Sequence, residues 1–116
     1  MAARRILIVD DHADSAESLA MLLSMDGHDV MTVSDGEAAF LASDSFRPDV
    51  IVIDIGLPDM NGYDVARRLR KTGCTARLIA LTGYGQSDDI QRARSAGFDH
   101  HCLKPAEPTT LNRLIN

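Results

Sequence analysis

Aromatic side chains are scarce, only 4% of the chain, and none interleaves with a run of Lys or Arg. A single strand of nucleic acid would find no stacking platform here. Basic charge is also in short supply: 12 Lys+Arg stand against 17 Asp+Glu, for a formal net charge of −5. That balance argues against direct nucleic-acid binding. Long apolar runs are missing, since the stretches 6–9 and 50–53 fall far short of the roughly 20 residues that cross a bilayer. No membrane insertion is expected, and the protein should be soluble. Arg4 and Arg5 precede an apolar run, but that run ends in Asp10-Asp11-His12-Ala13-Asp14 and reads as a strand rather than a secretory signal. The two cysteines, Cys74 and Cys102, have neither metal-type nor redox-type spacing. Two free thiols in a reducing, cytoplasmic compartment are the expectation, with a bridge between them left open.

What the 116 residues do contain is enough apolar side chain, 45% of the total, to fill one core but not two. A single domain over 1–116 follows, and no low-complexity segment or linker interrupts it. Apolar, β-branched runs recur at 6–9, 30–33, 50–53 and 78–81, with a weaker one at 98–103. Runs that are apolar throughout, rather than alternating, suit parallel strands covered on both faces. Helical spacing fills the intervals. Residues 15–25 put Ala16, Leu19, Leu22 and Leu23 on one face, with Asp14 or Ser15 as N-cap and Gly27 as stop. Asp35-Gly36-Glu37 opens a second helix with Ala38, Leu41 and Ala42 inward. A third over 62–71 carries Val65, Ala66 and Leu69 on one stripe; a fourth over 86–96 has only Ile90, Ala93 and Ala96, so it should be the least firmly held; a fifth covers 107–115.

Strict β-α alternation implies right-handed crossovers and an α/β, doubly wound, five-stranded parallel sheet of flavodoxin-like order 2-1-3-4-5. Ligands of such sheets sit beyond the carboxyl ends of the strands, at the switch point between the first and third. Those strands end in Asp10-Asp11 and Asp54, the fourth in Thr82, and the fifth runs into Lys104-Pro105. Three crowded carboxylates would raise one another's proton affinity unless a cation intervened. A hard divalent ion such as Mg²⁺ is the natural answer, with Asp10, Asp11 and Asp54 as acidic ligands and the Gly56 carbonyl as a further oxygen. Asp54 is then placed to attack phosphorus, with the Lys104 ammonium neutralising the incoming charge and the Thr82 hydroxyl donating to a phosphoryl oxygen.

The segments Ile6-Leu7-Ile8-Val9-Asp10-Asp11, Asp54-Ile55-Gly56-Leu57-Pro58-Asp59-Met60-Asn61-Gly62, Leu81-Thr82-Gly83 and Leu103-Lys104-Pro105 together resemble the receiver domain of two-component response regulators. The resemblance covers nearly the whole chain. It implies Mg²⁺-dependent phosphotransfer to Asp54 from a phosphohistidine on a sensor histidine kinase or a histidine phosphotransfer protein. By the same resemblance Asp11 is a direct metal ligand, Asp10 acts partly through water, and the Lys104–Pro105 peptide bond is cis. Dephosphorylation would be self-catalysed, so the chain is expected to be a switch and not an enzyme with an external substrate. The family's switch pairs the threonine with an aromatic residue three positions before the lysine; here Thr82 would pair with His101, a departure that makes the switch pH-dependent. Its output would be the face of the fourth helix and fifth strand. The wording 82–86 and 97–101 is similar to receivers attached to hybrid kinases, so the chain is either a stand-alone regulator or one domain of a protein with a fused kinase or effector.

Competing readings are fewer. A flavin domain of the same topology would need a phosphate-cradling loop after the first strand, where this chain has Asp11-His12-Ala13-Asp14. An aspartyl phosphohydrolase would usually show an Asp two residues after the nucleophile, and here that residue is Gly56. The main alternative is a degenerate receiver that only docks partners. Among other polar residues, His12 follows the acidic pair and reads as an exposed loop histidine more readily than as one that grazes the site, Asp59 and Asn61-Gly62 read as turn and helix-start residues, and Tyr84 as a residue at the pocket mouth. Adjacent strand positions point to opposite faces, so His100-His101 is not a metal pair.

Overall fold

The structure is a computed structural model that describes residues 3–83, 87–104 and 106–115. Within them the elements run β1 (Arg5–Val9), α1 (Ala13–Met25), β2 (Asp29–Val33), α2 (Gly36–Phe46), β3 (Val50–Asp54), α3 (Gly62–Lys71), β4 (Arg77–Thr82), α4 (Ser87–Ala96), β5 (His100–Leu103) and α5 (Pro108–Ile115). All pairings are parallel and the order is β2-β1-β3-β4-β5, as the alternation predicts. The expected start of the fourth helix at Gln86, the residue Tyr84 and the Lys104–Pro105 peptide bond lie outside the described residues.

Period-two alternation sorts each strand between two cores. Leu7, Val9, Ile51, Ile53, Leu78 and Ala80 face α2, α3 and α4, where they meet Ala39, Phe46, Val65, Leu69 and Ala93. Ile6, Ile8, Val50, Val52, Ile79 and Leu81 face α1 and α5, against Leu19, Leu23, Leu111 and Ile115. Both faces of the central strands are covered, which is why their sequences are apolar without a break.

Two inward stripes differ from expectation. In α1 the buried residues are Ala16, Leu19 and Leu23, while Leu22 is 42% exposed. In α2 they are Gly36, Ala39, Ala42 and Phe46, while Ala38 is half-buried and Leu41 is 74% exposed. The phase of α2 is set at its start. Asp35 accepts the Ala38 N–H at 2.8 Å, and Gly36 sits so close to Met60 that a Cβ there would lie 2.8 Å from its Cγ; that seats position 36 inward and carries 39, 42 and 46 with it. The N-cap of α1 is His12, with no side-chain cap bond, rather than Asp14 or Ser15. Its carbonyl receives the Ala16 N–H at 3.0 Å. Gly27, at φ +94°, follows the last turn in the left-handed conformation that glycine adopts at least cost. α3 begins where expected, capped by Asn61, whose side chain accepts the Asp64 N–H at 3.0 Å.

Cys74 and Cys102 are free thiols. Burial, and then the negative charge of Glu107, push the Cys102 thiol above its ordinary value, so it stays protonated and a poor nucleophile at neutral pH.

Asp59 is a turn residue with a longer reach than its own loop. Its carboxylate accepts the Gly36 N–H at 2.9 Å and the Glu37 N–H at 3.2 Å, which caps α2 from the loop after β3. The Gly36 N–H does most to hold the Asp59 carboxyl below its ordinary 3.8; desolvation opposes this, and the Glu37 N–H adds to the lowering. A depressed folded value stabilises the protein above the unfolded value and loses that contribution as pH falls through the folded one. In urea denaturation, the wild type should therefore exceed Asp59→Asn in midpoint at pH 6, and the gap should close as pH drops below 3.8. A gap unchanged down to pH about 2 would contradict this capping role.

Candidate functional site

Strands in step deliver the polar residues to one rim. Val9 is in register with Ile53, Asp54 with Leu81, and Thr82 with Leu103, so the chain leaves four neighbouring strands at about the same height. Backbone bonds extend the ladder past the strand ends: Asp10 N–H to Val33 O at 3.0 Å, Ile55 N–H to Leu81 O at 3.2 Å, and Lys104 N–H to Thr82 O at 2.8 Å. Asp10, Asp54 and Thr82 are buried there, while Asp11 is exposed.

Asp54 is 2% exposed. Its Oδ1 accepts the Gly56 N–H at 3.0 Å, which closes the turn after β3. Its Oδ2 stands 2.6 Å from Lys104 Nζ as an ion pair, yet in no hydrogen-bonding alignment with any donor. The Thr82 hydroxyl is likewise buried and has no hydrogen-bond partner. Buried polar atoms are rarely left so. At this rim both atoms have capacity for a further partner.

The third strand end adds more negative charge. Carboxylate oxygens of Asp10, Asp11 and Asp54 and a ring nitrogen of His12 all lie within 4.8 Å of one another. Asp10 Oδ1 accepts the His12 backbone N–H at 3.0 Å. His12 Nδ1 is 3.3 Å from Asp10 Oδ1, 3.3 Å from Asp11 Oδ1 and 4.0 Å from Asp54 Oδ2. Three carboxylates with an open buried oxygen among them are a donor set that fits a hard divalent cation.

Of the residues expected at the site, Asp10, Asp11, Asp54, Thr82 and Lys104 all stand on this rim. Gly56 contributes its N–H to Asp54. His101 is half-buried and two residues short of the rim, in register with Ala80. It shares a sheet face with Ala80 and Thr82, the face toward α4, whereas Cys102 packs on the opposite side. His12 grazes the site. Its side chain is 67% exposed, as a loop histidine should be, and its ring nitrogen lies within the acidic cluster. The signal for this was its place one residue after Asp11.

A groove of about 620 Å³ runs from Asp10 and Lys104 along Ser15, Ser18 and Leu22 of α1. It accounts for the exposure of Leu22. A wider hollow of about 840 Å³ between α3 and α4, edged by Arg67, Arg68 and Lys71, shares no lining residue with the rim.

Fold and site together define a doubly wound parallel α/β domain with a carboxylate-rich rim at its switch point. The sequence pattern of the response regulator receiver domain matches residues 6–116. The DNA-binding response regulator MtrA of Mycolicibacterium paratuberculosis is 37% identical over 108 residues, 93% of this chain and 48% of that protein. The alkaline phosphatase synthesis transcriptional regulatory protein PhoP of Bacillus subtilis is 33% identical over 112 residues, 97% of this chain and 47% of that one. The chain thus spans about half the length of these relatives. Among solved structures, a putative response regulator from Chloroflexus aurantiacus superposes with a TM-score of 0.89 at 30% identity, covering 97% of this chain and 93% of that one. The chemotaxis response regulator CheY4 of Vibrio cholerae superposes at 0.90 and 25% identity, covering 97% and 99%. The chain belongs to the response regulator receiver domain family of two-component signalling. No helix among the described residues is long and apolar enough to cross a membrane. The expectation of no nucleic-acid contact, drawn from charge and from the scarcity of aromatics, finds no support in a relative named for DNA binding.

Gly62 locks the rim from behind. A Cβ there would lie 2.8 Å from the Asp54 carbonyl oxygen and 2.8 Å from Ile55 Cα, both backbone, whereas one at Gly56 would meet only Asp54 Oδ1 at 3.9 Å. Gly62→Ala should therefore destabilise the fold by about 1–3 kcal/mol in urea denaturation, and Gly56→Ala by clearly less. Equal losses would show that the close approach does not constrain the turn.

Proposed function

We propose that the chain, read as one receiver domain over 1–116, accepts a phosphoryl group on Asp54 from a phosphohistidine of a sensor histidine kinase or histidine phosphotransfer protein in the cytoplasm. The observation that carries this is the Asp54 carboxylate at the tip of the central strand, 2% exposed, with its Oδ2 open beside Lys104 and an unpartnered Thr82 hydroxyl. Asp10, Asp11 and Asp54, with the Gly56 carbonyl, would hold Mg²⁺. When bound, that ion offsets negative charge on the carboxylates and on the phosphoryl oxygens.

The protein's own groups do the rest. An Asp54 oxygen attacks phosphorus, the P–N bond to the donor imidazole breaks, and its electron pair stays on that nitrogen. Lys104 turns its ammonium from Asp54 Oδ2 toward a phosphoryl oxygen, and Thr82 donates its hydroxyl hydrogen to another. Hydrolysis reverses the logic: water attacks phosphorus, the P–O bond to Asp54 breaks, and inorganic phosphate leaves with the carboxylate restored. No external substrate is turned over. The groove along Ser15, Ser18 and Leu22 suits a macromolecular donor, because it extends the rim well past the size of a phosphate. Movement of Thr82 frees space on the face it shares with His101, which would carry the signal to α4 and β5.

Incubation with Mg²⁺ and acetyl phosphate should add one phosphoryl group to the wild type by intact-mass measurement and none to Asp54→Asn. Thr82→Ala should slow the gain about tenfold or more, the order expected for losing one hydrogen bond to a charged group. Beryllium fluoride, which occupies the acceptor without being hydrolysed, removes phosphoryl lifetime from the comparison. If it leaves the amide resonances around Thr82 and His101 of the wild type unmoved, and no mass is gained, the chain is a docking module instead.

A further inference from the structure

We propose that His12 supplies an imidazole nitrogen to the ion held at this rim, so that the receiver takes a first-row transition cation such as Mn²⁺ more readily than an all-oxygen site would. This rests on the metal site of the preceding reading and specifies its ion.

Spacing is the first argument. Ligands at about 2.1 Å from an octahedral ion lie about 3.0 Å apart on adjacent vertices and about 4.2 Å apart on opposite ones. His12 Nδ1 is 3.3 Å from Asp10 Oδ1 and from Asp11 Oδ1, and 4.0 Å from Asp54 Oδ2, all of which fall between those two separations. The ring nitrogen makes a hydrogen bond with Asp10 Oδ1 at 3.3 Å, longer than the about 2.7–2.9 Å of a charge-assisted one, and it stands equally far from Asp11 Oδ1.

A second observation points to a ligand. Asp54 Oδ2 is buried on a side chain 2% exposed and, beyond its ion pair with Lys104 at 2.6 Å, has no aligned hydrogen-bond donor. It opens onto the cluster that includes the ring nitrogen. His12 itself is held in position, because it caps α1 and its carbonyl receives the Ala16 N–H, while its backbone N–H is tied to Asp10.

The chemistry follows from ligand type. Mg²⁺ prefers oxygen and gives up its waters reluctantly. Imidazole suits transition ions, and affinity for mixed nitrogen and oxygen sites rises along the series from Mn²⁺ toward Cu²⁺.

The test uses the chain as it stands with Mn²⁺ as probe. Titration followed by electron paramagnetic resonance reports affinity, and spin-echo modulation reports a directly bound nitrogen. Nitrogen coupling is expected in the wild type and absent in His12→Ala and His12→Gln, with Mn²⁺ affinity lower by about tenfold and Mg²⁺ affinity, measured by competition, changed much less. Mn²⁺ that binds through Asp11, as judged by its loss in Asp11→Ala, yet carries no nitrogen coupling would overturn the His12 assignment alone. Tighter Mn²⁺ binding in His12→Ala would overturn it too, since it would make the ring a competing cation. Absence of site-specific binding in the wild type would overturn the metal site and this proposal together.

Discussion

A carboxylate kept out of water at the end of the central strand is the constraint that the rest of the molecule answers. Asp54 is 2% exposed, and an isolated charge at that depth would shed its ionisation rather than remain. Lys104, 2.6 Å from Oδ2, and the Gly56 N–H on Oδ1 make the charge tolerable. Neither saturates it. With Asp10 and Asp11 adjacent, the local balance stays negative, which suits a cation. A perfectly neutralised Asp54 would be stable and idle.

Holding such a site demands a stiff frame, and the frame is built from parallel register. Because four strands end in step, a displacement of any one would misplace a residue of the rim. The strands are therefore clamped at their far ends as well. Arg70 reaches from α3 to Gly97 O, Cys74 O and Ala76 O at 3.0, 3.0 and 2.7 Å, and to Asp99 at 2.9 Å, tying the approaches to β4 and β5 together. His28, buried on the other flank, accepts the Arg4 N–H on Nδ1 and meets Asn112 Oδ1 through Nε2. A nitrogen that accepts carries no proton, so the ring is the Nε2–H tautomer that donates to Asn112. It thereby fastens α5 to the start of β1.

Much of this was legible in the sequence, and the divide has a physical basis. Period-two and 3.6-residue patterns report burial, and burial made the strands, their order and the α3 stripe of Val65, Ala66 and Leu69 readable. The rim residues were readable because topology sends strand ends to one edge. Helix phase was less so: a Leu at position 22 or 41 satisfies the pattern as well as its neighbour does, and only Gly36 against Met60 decides α2. Long-range partners of polar side chains were invisible. Asp59 looked like a turn residue and is one, but nothing local announces that it caps α2, nor that Arg70 reaches Gly97 and Asp99. His12 is both things its position allows: 67% exposed and, through Nδ1, within the acidic cluster.

The same reasoning bears on which part of the fold can move. α3 is pinned by the Gly62 contact and by Arg70, and α5 by His28 and by Arg77, whose guanidinium donates to Leu114 O and Ile115 O at 2.8 and 2.9 Å. α4 has less. Its described inward side chains are Ala93 and Ala96, with Ile90 half-buried, and small side chains lose little when they separate. Arg92 lies over the Tyr63 ring at 4.5 Å, a contact that can slide without leaving a buried donor unpaired. Thr82 and His101 share the sheet face beneath this helix. A pull on the Thr82 hydroxyl would therefore be felt first where resistance is weakest, so the rigidity of α3 and α5 is what gives a change at the rim a direction.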